Sequence, residues 1–423
     1  MIREWLSGIL GAAPRDRAAG DDFWFSSDPG LVTAAGQIVT PLTALRVPAV
    51  VDALSAITQP LAHLPLKVFR RTGPDDKEPA PDHPAAALLQ APSVSGMTRY
   101  EWRGQAQWEL ALHANAYAEW VFGLDGAEGW RLHDPMLVRP DTQGGRRVYW
   151  VPDSGGMRRV AADMMWHLRT LPLDRDRLCG ISPVAQNADT IAHALAVQAY
   201  GQRYFANDGQ QGGIIEMDRP FKTPEDRDKF LAAWRRASTG RSAHRDRILD
   251  NGGKYNRAQI NNQHSQFLET RREMAIEVAR IWHVPPHKLR SLDRATHSNI
   301  EQQSLEFVTD TLLPWFSLWE ASIKQHVIDP MSEASGLDAD EYFAEFNAAG
   351  LLRGDLKSRY QAFAVGRNWG WLSVNDIRRL ENMPPVQDGD VYLQPTNMGV
   401  AGDPPEDDDD KGGGSAPPRD ETE

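Results

Sequence analysis

Apolar residues recur at three- and four-residue spacing over several long stretches of the chain, a pattern that predicts mostly helical structure. Val47, Val50, Leu54, Ile57 and Leu61 form the first stripe, starting near Thr43, and Pro60 and Pro65 are expected to end it. Leu66-Lys67-Val68-Phe69 then alternates as a strand does and runs into the turn-rich Gly73-Pro74-Asp75-Asp76. A second helix fits Thr98 to about Leu112, with Trp102, Ala106 and Leu110 on one face. Strand patterns follow at 115–122, 130–132, 148–151 and 165–168, with a turn over 123–129. Residues 43–175 therefore read as one α+β unit with a small antiparallel sheet.

Ser182-Pro183 signals a helix start, and Val184, Ala188, Ile191, Leu195 and Ala199 carry the stripe to about Asn207. One continuous helix over 182–207 would be ~39 Å long. A compact insert comes next: a strand at 214–217, a helix from Thr223 through Trp234, and a strand at 247–250 closing on Asn251-Gly252-Gly253, a hairpin signal. A second long helix is expected from His264 to His283, with Phe267, Met274, Val278 and Ile281 as its stripe, ended by Val284-Pro285-Pro286. After a polar loop at 287–299, a third helix should span 299–327, kinked at Pro314, with Phe307, Leu312, Trp315, Phe316, Trp319 and Ile323 as its apolar side. Short helices fit 355–366 and 373–382. Residues 1–40 and those after about Pro395 lack periodicity and are expected to be poorly ordered.

Composition narrows the function. A length of 423 residues gives a soft prior of about three domains, and 41% hydrophobic with 25% charged residues suits a soluble globular protein. With 46 basic and 58 acidic residues the formal charge is −12, which argues against a simple basic nucleic-acid binder. Residues 401–423 hold nine acids against Lys411 and Arg419, a net of −7, so the preceding 400 residues carry only −5. The insert from Gly213 to Asn262 is basic, with eleven Lys/Arg and seven Asp/Glu, a net of +4. A single cysteine, Cys179, excludes an intrachain disulfide and a multi-cysteine metal site, and suits a reducing compartment. No stretch is apolar enough to predict a membrane span. The opening Met1-Ile-Arg-Glu-Trp-Leu-Ser-Gly-Ile-Leu-Gly is amphipathic but too short and mixed for a signal peptide.

Motifs for catalysis fall short. Gly180-Ile181-Ser182-Pro183-Val184 lacks the second glycine of a nucleophile elbow, and a helix cap is the plainer reading. A hydrolase using Ser182 rests on that near-miss alone. Gly252-Gly253-Lys254 lacks the first glycine and the Ser/Thr of a phosphate loop. His283 and His287 have a chelating spacing on a helix, yet Pro285-Pro286 lies between them. The Asp407–Asp410 run reads as a solvated tail and the 14 tryptophans mostly as core. What remains is architectural: long helices with more apolar stripe than one neighbour can cover, suited to packing against further copies.

An ordered set of local patterns resembles the portal proteins of tailed bacteriophages, the group typified by phage HK97. It comprises Thr40-Pro41-Leu42-Thr43-Ala44-Leu45; Leu64-Pro65-Leu66-Lys67-Val68-Phe69; Asp82-His83-Pro84 with Ala91-Pro92; and Ala114-Asn115-Ala116-Tyr117-Ala118. It continues with Gly180-Ile181-Ser182-Pro183-Val184; Tyr204-Phe205-Ala206-Asn207; Gln266-Phe267-Leu268-Glu269-Thr270-Arg271; Val284-Pro285-Pro286; Thr311-Leu312-Leu313-Pro314; and Leu372-Ser373-Val374-Asn375-Asp376-Ile377-Arg378 with Met383-Pro384-Pro385. The resemblance covers roughly residues 40–395. One departure is His287-Lys288-Leu289-Arg290-Ser291, where the family often has a glycine-bearing loop.

The resemblance implies a portal fold, α+β and mainly helical. Residues 1–42 would be a flexible arm, 43–180 the wing, 181–209 the first stem helix, 210–262 an α/β clip and 263–283 the second stem helix. Residues 284–299 would be the tunnel loop, 300–349 the kinked helix returning to the wing, 350–395 a helical crown and 396–423 an acidic tail. Family members close into a ring, typically of twelve subunits, at one capsid vertex. Double-stranded DNA is packaged and ejected through it, and head is joined to tail. The implied partners are further copies of the chain, the major capsid protein, the terminase large subunit, the head–tail adaptor protein and DNA, with no membrane, cofactor, metal or enzymatic activity. The place would be the virion, with assembly in the bacterial cytoplasm. The same part in a domesticated particle such as a gene transfer agent, or a structural ring without DNA translocation, are the alternatives.

DNA moving through such a ring must not stick, because each phosphate neutralised by Lys or Arg adds binding energy. A mixed wall is expected from the second stem helix, where Glu269, Glu273 and Glu277 offset Arg271, Arg272 and Arg280. His287, Lys288, Arg290 and Arg294 of the tunnel loop are the expected DNA-facing collar, with ordinary surface ion pairs, for instance to Asp293, as the alternative. Arg235, Arg236, Arg241, Arg245 and Arg247 are the expected docking residues of the clip.

Overall fold

Prolines and small polar caps set most element boundaries. The fold is that of a computed structural model, which describes residues 31–73, 76–122, 128–206, 213–237, 254–257, 263–289, 303–348, 351, 356–381 and 383–393. The chain divides into two units, Met1–Ala348 and Ala349–Glu423.

In the first unit, residues 31–39 are not part of an irregular arm. They form a strand pair, β1 (Leu31–Val32) and β2 (Ile38–Val39), across a turn with Gly36 at φ 68°. Thr40 caps the single turn α1 (Pro41–Ala44), accepting from the Thr43 amide at 3.0 Å. Helix α2 (Pro48–His63) starts on proline, where no N–H is needed, and buries Val50, Leu54, Ile57 and Leu61 completely. It runs past the expected stop at Pro60. A proline in the last turn removes one hydrogen bond, and the Leu64 amide still closes on the Pro60 carbonyl at 2.9 Å.

Strand β3 (Leu66–Arg71) pairs with β4 (Lys77–Pro79), and α3 (Pro84–Gln90) follows, capped by the His83 ring accepting from the Ala85 amide. Helix α4 (Arg99–His113) opens on a Thr98/Glu101 capping box and packs along α2. Next, β5 (Asn115–Phe122) pairs with β6 (Glu128–His133), while β7 (Arg139–Gln143), β8 (Arg146–Asp153) and β9 (Gly156–Ala161) form a separate antiparallel sheet. Strand β10 (Met165–Arg169) completes the first sheet as β10-β5-β6. The strands of the region expected to hold a single small sheet thus fall in three: β3 and β4 in one, and two sheets that share a core of Tyr117, Val138, Tyr149, Val151, Val160 and Met165. Trp102, Trp130 and Trp166 cluster with Trp319 at ring-centroid distances of 5.1–6.4 Å, in the core as expected.

The helix expected over 182–207 is broken. Helix α5 (Pro183–Gln186) ends at Asn187 (φ −113°, ψ 29°), and α6 (Ala188–Ala206) begins beyond it. The Asn187 side chain donates to the Pro183 carbonyl at 2.9 Å, competing with the backbone ladder. In the insert, β11 (Gly213–Glu216) precedes α7 (Pro224–Ala237) and pairs with β12 (Lys254–Arg257). The strand expected at 247–250 lies outside the described residues. Helix α8 (Gln263–Arg280) stops three residues short of His283. A winding then alternates between π and α: a π turn at Phe307–Leu312, α9 (Leu313–Ile323), a π turn at Lys324–Ile328 and α10 (Asp329–Ala334). Pro314 follows the first π turn, whose wider winding tolerates a residue without an N–H. Phe307, Leu312, Phe316, Trp319 and Ile323 are buried as expected, and Trp315 is half-buried. Strand β13 (Tyr342–Phe346), which no sequence pattern announced, returns to pair with β3.

The second unit holds α11 (Leu356–Asn368) and α12 (Val374–Leu380), the latter opened by a Ser373/Asp376 capping box.

Candidate functional site

Helices α6 and α8 pack side by side. Tyr200 and Phe267 meet with ring centroids 5.6 Å apart, and Gly201 lets the ring in: a Cβ there would lie 2.7 Å from Phe267 Cζ. On α8, 100° per residue places Phe267, Met274 and Val278 on one side and Glu269, Arg272, Glu273, Glu277 and Arg280 on the other. Burial agrees, with Val278 buried, Phe267 and Met274 half-buried, and Glu269, Arg272, Glu273 and Arg280 exposed. Glu277 is half-buried and ion-paired with Arg280. The charged face therefore carries three glutamates against two arginines, one negative charge per copy. A cleft of about 630 Å³ between the start of α2, α6 and α8 is lined by Val197, Phe267, Met274 and Leu289, with Asp52 and Arg271 beside them. Its lining is mostly apolar.

The end of α8 is held at both sides of the loop that follows. His283 takes the left-handed conformation (φ 55°), the His283 amide bonds the Arg280 carbonyl at 3.1 Å and the Val284 amide bonds that of Ala279 at 3.1 Å. This Schellman turn, ahead of Pro285-Pro286, ends the helix earlier than the prolines would. The buried Trp282 indole donates to the Ala111 carbonyl of α4 at 2.8 Å, and the Thr311 hydroxyl donates to the His283 carbonyl at 2.7 Å. The Trp319 indole donates to Gln107 at 2.7 Å. The residues leading into and out of 290–302 are thereby pinned to the core.

Between those anchors, Pro286–Leu289 forms a 3₁₀ turn. Lys288 is exposed, with Nζ 5.2 Å above the Phe307 ring, a cation–π contact that turns it toward the third helix. His287 is half-buried; burial first, then the Lys288 charge, lowers its pKa, with a Gln303 hydrogen bond acting against them. Arg290 and Arg294 lie outside the described residues. So do Arg241, Arg245 and Arg247 of the insert; Arg235 and Arg236 lie on α7, where Arg236 is exposed. Of the expected sites, the structure thus brings the α8 residues together on one face.

The near-miss elbow has a structural explanation. A Cβ on Gly180 would stand 2.4 Å from the Ala114 carbonyl oxygen and 2.7 Å from that of Thr170, so two backbones pass too close for any side chain. Asn115 brackets Gly180, donating to its carbonyl and accepting from its amide, both at 2.8 Å. The Ser182 hydroxyl donates to the Leu112 carbonyl at 3.1 Å, and buried Cys179 lies 3.6 Å from the Tyr117 hydroxyl. Two charged side chains escaped sequence reasoning. Buried Arg103 donates to the Leu61 and Leu64 carbonyls at 3.2 and 2.7 Å, closing the end of α2; burial, then Arg99, lowers its pKa to about 10. Glu119 accepts two bonds from Arg158, at 2.7 and 2.8 Å, and shares one with His133 at 2.8 Å. Among the described residues, no group of three His, Cys, Asp or Glu could hold a metal, and no helix is long and apolar enough to cross a membrane.

The family described as "Phage portal protein" matches residues 48–382, a span holding every element from α2 to α12. The chain belongs to the phage portal protein family. Portal proteins are structural components. A "Probable portal protein" of Streptomyces phage phiC31 is 30% identical over 410 residues, covering 90% of this chain and 86% of the relative. The "Portal protein" of Enterobacteria phage HK97 is 28% identical over 393 residues, covering 89% and 91%. Among solved structures, a chain in the neck of a native gene transfer agent particle, computed with C12 symmetry, has a TM-score of 0.55 at 19% identity, covering 82% of this chain and 94% of that one. The family patterns turn out to touch one another: the Asn115 pattern grips the Gly180 pattern, and Thr311 holds the turn before Pro285-Pro286.

Proposed function

We propose that copies of this chain close into a ring at the portal vertex of a virion and that double-stranded DNA passes through its channel during packaging and ejection. The observation that carries this is the family match over residues 48–382. The C12 neck of the gene transfer agent particle supports twelve copies and also supports the second reading, the same part in such a particle. In this assignment residues 43–180 are the wing, 181–209 and 263–283 the stem helices, 210–262 the clip, 284–299 the tunnel loop, 300–349 the return to the wing and 350–395 the crown. The charged face of α8 lines the channel. With Lys288 held over Phe307, the positive collar rests on Arg290 and Arg294. The basic clip docks the terminase large subunit and then the head–tail adaptor through Arg235, Arg236, Arg241, Arg245 and Arg247, and the ring contacts the major capsid protein, with assembly in the bacterial cytoplasm.

Negative-stain images of the purified full-length chain test the ring: closed rings with an open centre are expected, and a chain that is monomeric at every concentration and within its particle ends the reading. Arg290→Glu with Arg294→Glu should still form rings yet fail to package or retain DNA. Normal packaging by that double variant ends the collar assignment.

A further inference from the structure

The cleft between the start of α2, α6 and α8 has a volume of about 630 Å³. Val197, Phe267, Met274 and Leu289 line it and are each half-buried, so part of their apolar surface still meets solvent. Asp52 and Arg271 line it as well. Both are exposed, and neither has an ion-pair partner among the described residues.

The chain enters the described fold beside this cleft. Leu31 pairs with Val39 of β2, and β2 packs against α6, one wall of the cleft. Residues 1–30 precede that point and lie outside the described residues. They begin with the amphipathic run Met1 to Gly11. At 100° per residue, Ile2, Trp5, Leu6, Ile9 and Leu10 fall within an arc of about 140°, and Arg3, Glu4, Ser7 and Gly8 fall outside it. Such spacing is the pattern of a helix face that lies in an apolar groove. Residues 11–30 supply up to ~66 Å of chain, against ~28 Å for the whole of α6, so the run reaches every part of the cleft. A tether of that length gives an effective concentration on the order of millimolar, ahead of any separate chain.

We propose that Ile2, Trp5, Leu6, Ile9 and Leu10 dock in this cleft of the same chain and cover the apolar side of α6 and α8. Arg3 and Glu4 complement the two unpaired charges there, one base for Asp52 and one acid for Arg271. The contact lies within one chain and holds whether or not copies close into a ring.

Hydrogen–deuterium exchange of the full-length chain tests it. Backbone amides of residues 4–10 should exchange at least about tenfold more slowly than in a free peptide of residues 1–12. Trp5→Asp with Leu6→Asp should abolish that protection and speed exchange at 194–202 and 267–275, with the helical circular dichroism of the folded chain retained. Trp5→Phe should keep the protection. Disulfide trapping then reads which chain supplies the run. Leu6→Cys, Ile9→Cys and Leu10→Cys are each combined with Met274→Cys. Under mild oxidation at least one pair should close within a single chain, and Ser7→Cys with Met274→Cys should not. Free-peptide exchange at 4–10 in the wild-type chain overturns the docking, and so does protection that survives the aspartate pair. Cross-links that join two chains give the cleft to a neighbour and overturn it too. Images of the ring succeed or fail independently of both readouts.

Discussion

Glu119 shows how one side chain joins two sheets. It lies on β5, its partner His133 on β6 and its partner Arg158 on β9, so a single carboxylate is tied to both layers. Burial alone would raise its pKa; the His133 and Arg158 hydrogen bonds and the Arg158 charge outweigh it and lower the value from 4.5 to about 2. The folded value lies below the unfolded one. The ionised carboxylate therefore stabilises the fold in full above about pH 4.5, and that contribution is lost as pH falls toward about 2. Arg158 is 40% exposed, so solvent screening reduces the effect to on the order of 2 kcal/mol. Glu119→Gln should cost that much at pH 7 by urea unfolding, and its deficit against wild type should shrink as pH is lowered toward about 3. A constant deficit across that range would show that packing, not ionisation, accounts for the loss. Such a residue was hidden in the sequence, because Glu119, His133 and Arg158 lie in three strands and nothing in their spacing brings them together.

Elements were legible where one face repeats. The stripes of α2, α4 and α8 and the alternation of β3 each follow from apolar spacing, and burial matches. Strand β7 was not legible, since Arg139-Pro140-Asp141-Thr142-Gln143 has no apolar alternation and is a strand only because β8 pairs with it. Strand β13 was missed because its partner β3 stands far back in the chain, beyond the reach of local patterns. Helix ends divided the same way. Pro285-Pro286 marked the stop of α8 correctly to within a few residues, but the left-handed turn at His283 is where it ends. A side chain with a Cβ is strained there and glycine is not, and the exposed imidazole loses little on removal. His283→Gly should thus be neutral or stabilise by up to about 1 kcal/mol, whereas the β-branched His283→Val should destabilise by about 1–2 kcal/mol. Thermal melts of the two variants check the sign, and a destabilised glycine variant would show that the imidazole carries a contact of its own.

At the scale of the assembled molecule, the decisive quantity is charge multiplied by symmetry. The α8 face carries one net negative charge per copy, and a ring of twelve would repeat it twelve times along the proposed wall. Most of that face was legible from the sequence, but Arg271, expected among its charges, lies with Phe267 and Met274 at the cleft, and nothing in the sequence says that the Lys288 ammonium meets the Phe307 ring. A weakly negative wall leaves phosphates their counterions, so a duplex slides without being bound. Glu269→Lys with Glu273→Lys would turn one negative charge per copy into three positive ones, since each reversal adds two. Rings of that variant should still form, because both side chains are exposed and lie away from Phe267 and Met274. They should bind duplex DNA in filter assays, with affinity falling steeply between about 50 and about 200 mM salt, each neutralised phosphate adding about 0.9 to the logarithmic slope. Wild-type rings should retain no DNA under the same conditions, and particles carrying the variant should package less of it. If the two rings bind DNA equally, the charged face of α8 looks away from the duplex, and the wall must be built from another element.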